Sequence, residues 1–207
     1  MSVGGFSANE YARSCALLDG RPEVEALELN LSCPNVEEAA ESAAQIVAAC
    51  RAVTAKPLWA KLSPANWDIG GSAQAVEAAG ADGLSLVNTI RGLALDPRSN
   101  RPKLHTATGG LSGPAIKPIA LLKVAQVYEV ARPHNIPIIG QGGIVNATDA
   151  LEFLIAGATA VGVGTALFYD PLVCPKINAG IASYLAAQNM TSVTDLTGTL
   201  KGTHGGH

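Results

Sequence analysis

Ile136-Pro137-Ile138-Ile139-Gly140-Gln141-Gly142-Gly143 is an apolar run that breaks into a glycine pair. Its apolar part is continuous rather than alternating, the pattern of a strand covered on both faces, as in a parallel sheet flanked by helices. Similar runs occupy 27–31, 58–62, 83–87, 136–140 and 160–164, with helical stretches expected over 8–18, 37–53, 72–79, 116–131, 147–156 and 174–186. Asn146 or Thr148 suits an N-cap for the fifth of these helices, and Gly157 suits its stop. The class is therefore α/β.

The residues after each strand narrow the choice. Ser32-Cys33-Pro34-Asn35, Ser63-Pro64, Asn88-Thr89, Gly142-Gly143 and Gly164-Thr165 gather polar and glycine residues at the carboxyl ends. A doubly wound sheet binds at one switch point, whereas a (β/α)8 TIM barrel builds its site from every carboxyl end. The barrel fits better. Only about five strand–helix units are readable, with 1–5 as the stub of a sixth, so an incomplete barrel is expected. The partial barrel should span 1–190, with 191–207 as a C-terminal tail.

The chain has 207 residues, of which 48% are hydrophobic and 15% charged, enough for one domain with a sizeable core. A formal net charge of −3 gives no electrostatic ground for nucleic acid or an anionic membrane surface as partner. With no long apolar span and no secretory signal, a cytoplasmic protein acting on small molecules is expected. Cys15, Cys33, Cys50 and Cys174 show no CxxC pairing, so no metal or iron–sulfur site is expected. Cys15, Cys50 and Cys174 fall in helices and read as packing residues.

Several residues carry chemistry. The pairs Gly142-Gly143 and Gly164-Thr165 come after the last two strands, where backbone N–H groups of barrels commonly hold a phosphate. Tight turns alone would explain one such pair more readily than two. Lys61 lies within the apolar run 58–62, where a cation is costly unless something anionic meets it or the side chain reaches water. Cys33 sits at a strand end, where a modest downward shift from the reference thiol pKa of about 8.5 would make it a usable base near neutral pH. A buried structural cysteine is the competing reading. Neither GxGxxG after a strand nor a P-loop is present.

Taken together, Glu28-Leu29-Asn30-Leu31-Ser32-Cys33-Pro34-Asn35-Val36, Lys61-Leu62-Ser63-Pro64, Ala81-Asp82-Gly83-Leu84-Ser85-Leu86-Val87-Asn88-Thr89 and Thr108-Gly109-Gly110-Leu111-Ser112-Gly113-Pro114-Ala115-Ile116-Lys117-Pro118 resemble the dihydroorotate dehydrogenase family. The similarity continues through 136–143 and 162–175. A cysteine base resembles the cytosolic class, and Asn88-Thr89-Ile90-Arg91-Gly92 resembles the form coupled to nicotinamide through a separate iron–sulfur FAD electron-transfer subunit.

The resemblance implies an FMN-dependent oxidation of dihydroorotate to orotate in pyrimidine biosynthesis. Cys33 would take the C5 proton. Asn30, Asn35, Asn88 and Thr89 would hold the substrate, with Asn30 also near the flavin. Lys61, Val87, Gly113, Gly142, Gly143, Gly164 and Thr165 would contact FMN. A homo-oligomer is implied too. Two departures accompany it: the family's first barrel strands and a second lysine are not in this sequence, and Val36 runs straight into Glu37-Glu38-Ala39-Ala40 where the family carries a glycine-rich loop. Two other readings are a dihydropyrimidine dehydrogenase-like pyrimidine reductase domain and a non-catalytic half-barrel module. The absent cluster cysteines weigh against the first, and flavin content would decide the second.

Overall fold

The computed structural model describes residues 1–31 and 40–202. Its strands in the central sheet are β1 (Ser2–Val3), β2 (Leu27–Asn30), β3 (Leu58–Leu62), β4 (Gly83–Leu86), β9 (Ile138–Gln141) and β10 (Ala160–Gly162). They form a six-stranded, all-parallel sheet in the order β1-β2-β3-β4-β9-β10. The stub expected at the start is β1, which pairs with β2. The sheet is open among the described residues, as expected of a partial barrel rather than a closed one.

Helices α1 (Ala8–Asp19), α2 (Ala40–Arg51), α3 (Ile69–Ala78), α4 (Lys117–Ala131), α5 (Ala147–Ala156) and α6 (Val173–Ala187) pack each against the next in chain order. Strand side chains alternate between the faces. Leu27, Leu29, Leu58, Ala60, Leu62 and Ile138 are buried in the main core together with Leu84 and Leu86 of β4, a strand whose four residues are all buried. Glu28, Asn30, Trp59, Lys61, Ile139 and Gln141 take the other parity, and all are half-buried. This second face leads to the site.

Several boundaries differ from expectation for identifiable reasons. Helix α3 begins at Ile69 rather than 72, because Asp68 caps it by accepting from Gly71 N at 2.8 Å. Gly70-Gly71 conceals that start, since glycine has low helix propensity. Strand β9 begins at Ile138 because Pro137 has no N–H and Ile136 N is bonded to Ala131 O at 3.2 Å. For α5, Asn146 rather than Thr148 is the cap, accepting from Asp149 N at 2.9 Å. Gly157, at φ +121°, ends it.

Residues 90–111, where no strand is expected from the sequence, form two nested antiparallel pairs, β5 (Ile90–Leu93) with β8 (Thr108–Leu111) and β6 (Leu95–Asp96) with β7 (Arg101–Pro102). Leu93, Leu95, Leu104 and Leu111 are exposed, so no buried face imposed a pattern on the sequence. Past residue 190, Leu196 is buried against Leu151 and Leu154, and Gly198 N and Leu200 N bond to Leu154 O and Ile155 O.

Cys15 and Cys50 are wholly buried between α1 and α2, while Cys174 is half-buried. The hydrogen bond to Cys15 and burial hold the Cys50 thiol protonated. No described helix is long and apolar enough to cross a membrane.

Candidate functional site

The carboxyl ends of β3, β4, β9 and β10 open onto one cleft. Lys61 enters from β3, and Val87, Asn88 and Thr89 come directly after β4. Gly142 and Gly143 succeed β9, Gly164 and Thr165 succeed β10, and Gly113 comes from the segment before α4. Three of the five post-strand segments marked in the sequence, Asn88-Thr89, Gly142-Gly143 and Gly164-Thr165, line the cleft, whereas Ser63-Pro64 does not and its strand contributes Lys61 instead. The fifth, with Cys33 and Asn35, lies outside the described residues.

Asn30 ends β2 and is tied to the cleft through Asn88, whose Nδ2 donates to Asn30 Oδ1 at 2.7 Å. Asn88 Oδ1 accepts from Thr89 N at 2.8 Å, and Asn88 N donates to Leu62 O at 3.1 Å. The buried Tyr11 hydroxyl donates to Asn30 O at 2.5 Å, anchoring this strand end from α1. Two carboxamides are therefore held at fixed positions. Amides of this kind present donors and acceptors without charge, the complement of a neutral heterocycle.

Lys61 sits opposite Asn30 in the β2–β3 register and opposite Ser85 in the β3–β4 register. Its ammonium lies 3.7 Å from Glu28 Oε1, which also accepts from Ser2 Oγ at 3.2 Å. The anion sought for Lys61 is thus partly supplied by the next strand. At that distance the pair is a loose one, and Lys61 still presents a cation at the cleft wall.

The glycine walls are built by close approach. Gly143 has φ +82°, and a Cβ there would lie 2.8 Å from Gly113 O and 3.1 Å from Pro114 Cα. The turn after β9 and the segment before α4 therefore touch backbone to backbone. Gly142, at φ +129°, would carry a Cβ 2.9 Å from that of Ala120. Gly164 differs: no atom lies within 4 Å of its Cβ position, so its backbone faces open space. Across the cleft, Thr165 Oγ1 donates to Ser112 Oγ at 3.0 Å.

An ion-pair cluster supports this wall. Lys117 Nζ lies 2.6 Å from Asp149 Oδ1 and 2.7 Å from Glu152 Oε2, joining the start of α4 to α5. Asp149 Oδ2 accepts from Val145 N at 3.0 Å, just past the glycine pair. Hydrogen bonds to Asp149 and Glu152 raise the Lys117 pKa above its ordinary value.

Sequence reasoning did not single out Gln141, Ser112 or Tyr169, which also line the cleft. Gln141 could have been found by parity: it shares the strand face of Ile139 and is the polar residue immediately before the glycine pair. Two buried polar atoms among the described residues, Ser85 Oγ and Gln141 Nε2, have no hydrogen-bond partner. The arrangement can hold an anionic group against glycine backbone, a flat ring near a cation, and a small polar heterocycle near fixed amides.

A family model described as dihydroorotate dehydrogenase matches residues 1–185. Curated relatives named dihydroorotate dehydrogenase B (NAD(+)), catalytic subunit, include that of Trichlorobacter lovleyi, 50% identical over 205 residues, covering 96% of this chain and 66% of the relative. The Geotalea daltonii protein is 49% identical over 208 residues, covering 97% and 67%. The Phocaeicola vulgatus protein is 44% identical over 208 residues, covering 97% and 68%. The chain thus spans about two thirds of the length of these relatives.

Proposed function

The chain belongs to the dihydroorotate dehydrogenase family, and on that basis we propose that it takes part in the oxidation of dihydroorotate to orotate with FMN as hydride acceptor, a step of pyrimidine biosynthesis. The observation that carries this reading is the convergence on one cleft of Lys61, the Gly142-Gly143 and Gly164-Thr165 turns and the Asn88-Thr89 segment.

The residues suit FMN. The Gly142-Gly143 and Gly164-Thr165 turns line the cleft, and the open space beside Gly164 would admit a phosphate to the backbone there, with Gly113 closing on Gly143 from the side. Lys61 would offer positive charge to a flavin as it accumulates electrons, and Val87 would offer it an apolar contact. When bound, FMN supplies the two-electron acceptor that no side chain can provide.

Asn30 and Asn88, locked by their mutual hydrogen bond and by Tyr11, orient the substrate's amide groups. Thr89 and Asn35 complete that set. Cys33 acts as the base that removes the C5 proton, and the thiolate fraction sets how readily it does so. The relatives are named as catalytic subunits of an NAD(+) enzyme; for this chain we extend that to a separate iron–sulfur FAD electron-transfer subunit, a homo-oligomeric assembly and a cytoplasmic location. The FMN-binding unit would comprise 1–190.

The test is anaerobic addition of dihydroorotate to the chain loaded with FMN. Bleaching of the flavin band in the wild type and its loss in Cys33→Ala is expected. Retained flavin that dihydroorotate fails to bleach would overturn the proposed reaction. The outer edges of β1 and β10, unpaired in the described sheet, favour one other reading, a non-catalytic module that pairs with another chain. Such a module would purify without flavin and take none up.

A further inference from the structure

Gln141 ends β9, and its main chain is fixed on both sides. Its carbonyl accepts from Val87 N at 2.9 Å, and in register it faces Gly162 of β10. The side chain lies along that neighbour: a Cβ on Gly162 would fall 2.9 Å from Gln141 Oε1 and 3.1 Å from Gln141 Cβ. Glycine at 162 therefore makes the room in which the carboxamide rests.

That carboxamide borders the same cleft as Lys61, Gly142 and Gly164, yet its Nε2 is buried with no partner among the described residues. A buried, unpaired N–H donor costs free energy that an apolar side chain of similar length would avoid. Methionine would fill the same space without that cost. Such orphaned groups in a folded protein call for a reason, and a missing ligand acceptor is one.

We infer that Gln141 is a cofactor-binding residue whose Nε2 donates to an uncharged acceptor of the flavin, on its ring or ribityl chain, leaving the phosphate to the glycine turns. This rests on the proposed FMN site and adds a recognition element to it. The position is consistent with that division: Gln141 immediately precedes Gly142-Gly143 and lies on the strand face shared with Ile139, which sets its amide back along β9 from the turn assigned to the phosphate.

The test uses the full 207-residue chain and its Gln141→Met variant, titrated with FMN and with riboflavin by fluorescence quenching, with melting of both ligand-free proteins alongside. Losing one neutral hydrogen bond should weaken both flavins about three- to tenfold and by the same factor. The ligand-free variant should melt at or above the wild-type temperature, since an unpaired donor has gone. Unchanged FMN affinity would overturn the inference. So would a loss confined to FMN, which would move the contact to the phosphate, or a lower melting temperature accompanying weaker binding, which would make Gln141 structural. A wild-type chain that binds neither flavin would instead overturn the cofactor reading itself, and this inference with it.

Discussion

Gly143→Ala and Gly164→Ala separate the glycine that holds the fold from the glycine that admits a ligand. At Gly143 the backbone has φ +82°, and a methyl group would approach Gly113 O to 2.8 Å, Lys117 Cβ to 3.0 Å and Pro114 Cα to 3.1 Å. The left-handed conformation costs an L-residue about 1–2 kcal/mol. Overpacking against backbone that cannot easily yield adds about 1–3 kcal/mol. The expected destabilisation is therefore about 2–5 kcal/mol, or roughly 4–20 °C in melting temperature for a chain of this size.

At Gly164 the backbone has φ −113°, and nothing lies within 4 Å of the Cβ position. Alanine there meets no neighbouring atom and should destabilise the chain less than Gly143→Ala does. Its methyl would occupy the space a phosphate needs beside the backbone, so FMN affinity should fall by roughly tenfold or more, about 1.4 kcal/mol. Melting of the ligand-free proteins and FMN fluorescence quenching read the two effects separately. A Gly164→Ala protein as destabilised as Gly143→Ala, or one that binds FMN like wild type, would refute the reasoning.

Leu196→Ala should destabilise the chain by about 2–5 kcal/mol in urea unfolding, because Leu196 is buried against Leu151 and Leu154; a surface-like effect would mean that the segment after 190 is a detachable tail. Tyr11→Phe removes the donor to Asn30 O and should cost about 1–2 kcal/mol in the same assay, with weaker orotate binding if Asn30 is mispositioned. The raised pKa of Lys117 gives a pH dependence of definite sign. Its folded value exceeds the unfolded one, so the stabilisation is fully present below the unfolded pKa of about 10.4 and is lost as pH rises through the folded value. Denaturant titrations across that alkaline window should show a decline in the wild type that Lys117→Met lacks.

The sheet was legible where the sequence carried its own boundaries. Residues 58–62 and 147–156 match β3 and α5 because apolar runs there end at Pro64, Asn146 and Gly157. The 90–111 hairpins were not legible, since short strands with no fully buried face leave no strong periodic signature. Within the site, Lys61, Val87, Gly113 and the glycine turns were marked by residue type and resemblance, and the fold brings them to one cleft. Their partners could not be read. The bonds of Asn30 to Asn88 and Tyr11, and the pairing of Lys61 with Glu28, depend on strand register and helix packing between residues distant in sequence. Strand parity places Gln141 on the cleft face, but that its amide is buried and unpaired depends on packing that only the structure shows.

Titration of the wild-type chain with FMN and riboflavin by fluorescence quenching bears most directly on whether the two glycine turns hold a flavin phosphate. Charge-assisted hydrogen bonds to a phosphate contribute about 1.5–3 kcal/mol, so FMN should bind roughly ten- to a hundredfold more tightly than riboflavin. Equal affinity for the two would show that the turns after β9 and β10 hold no phosphate.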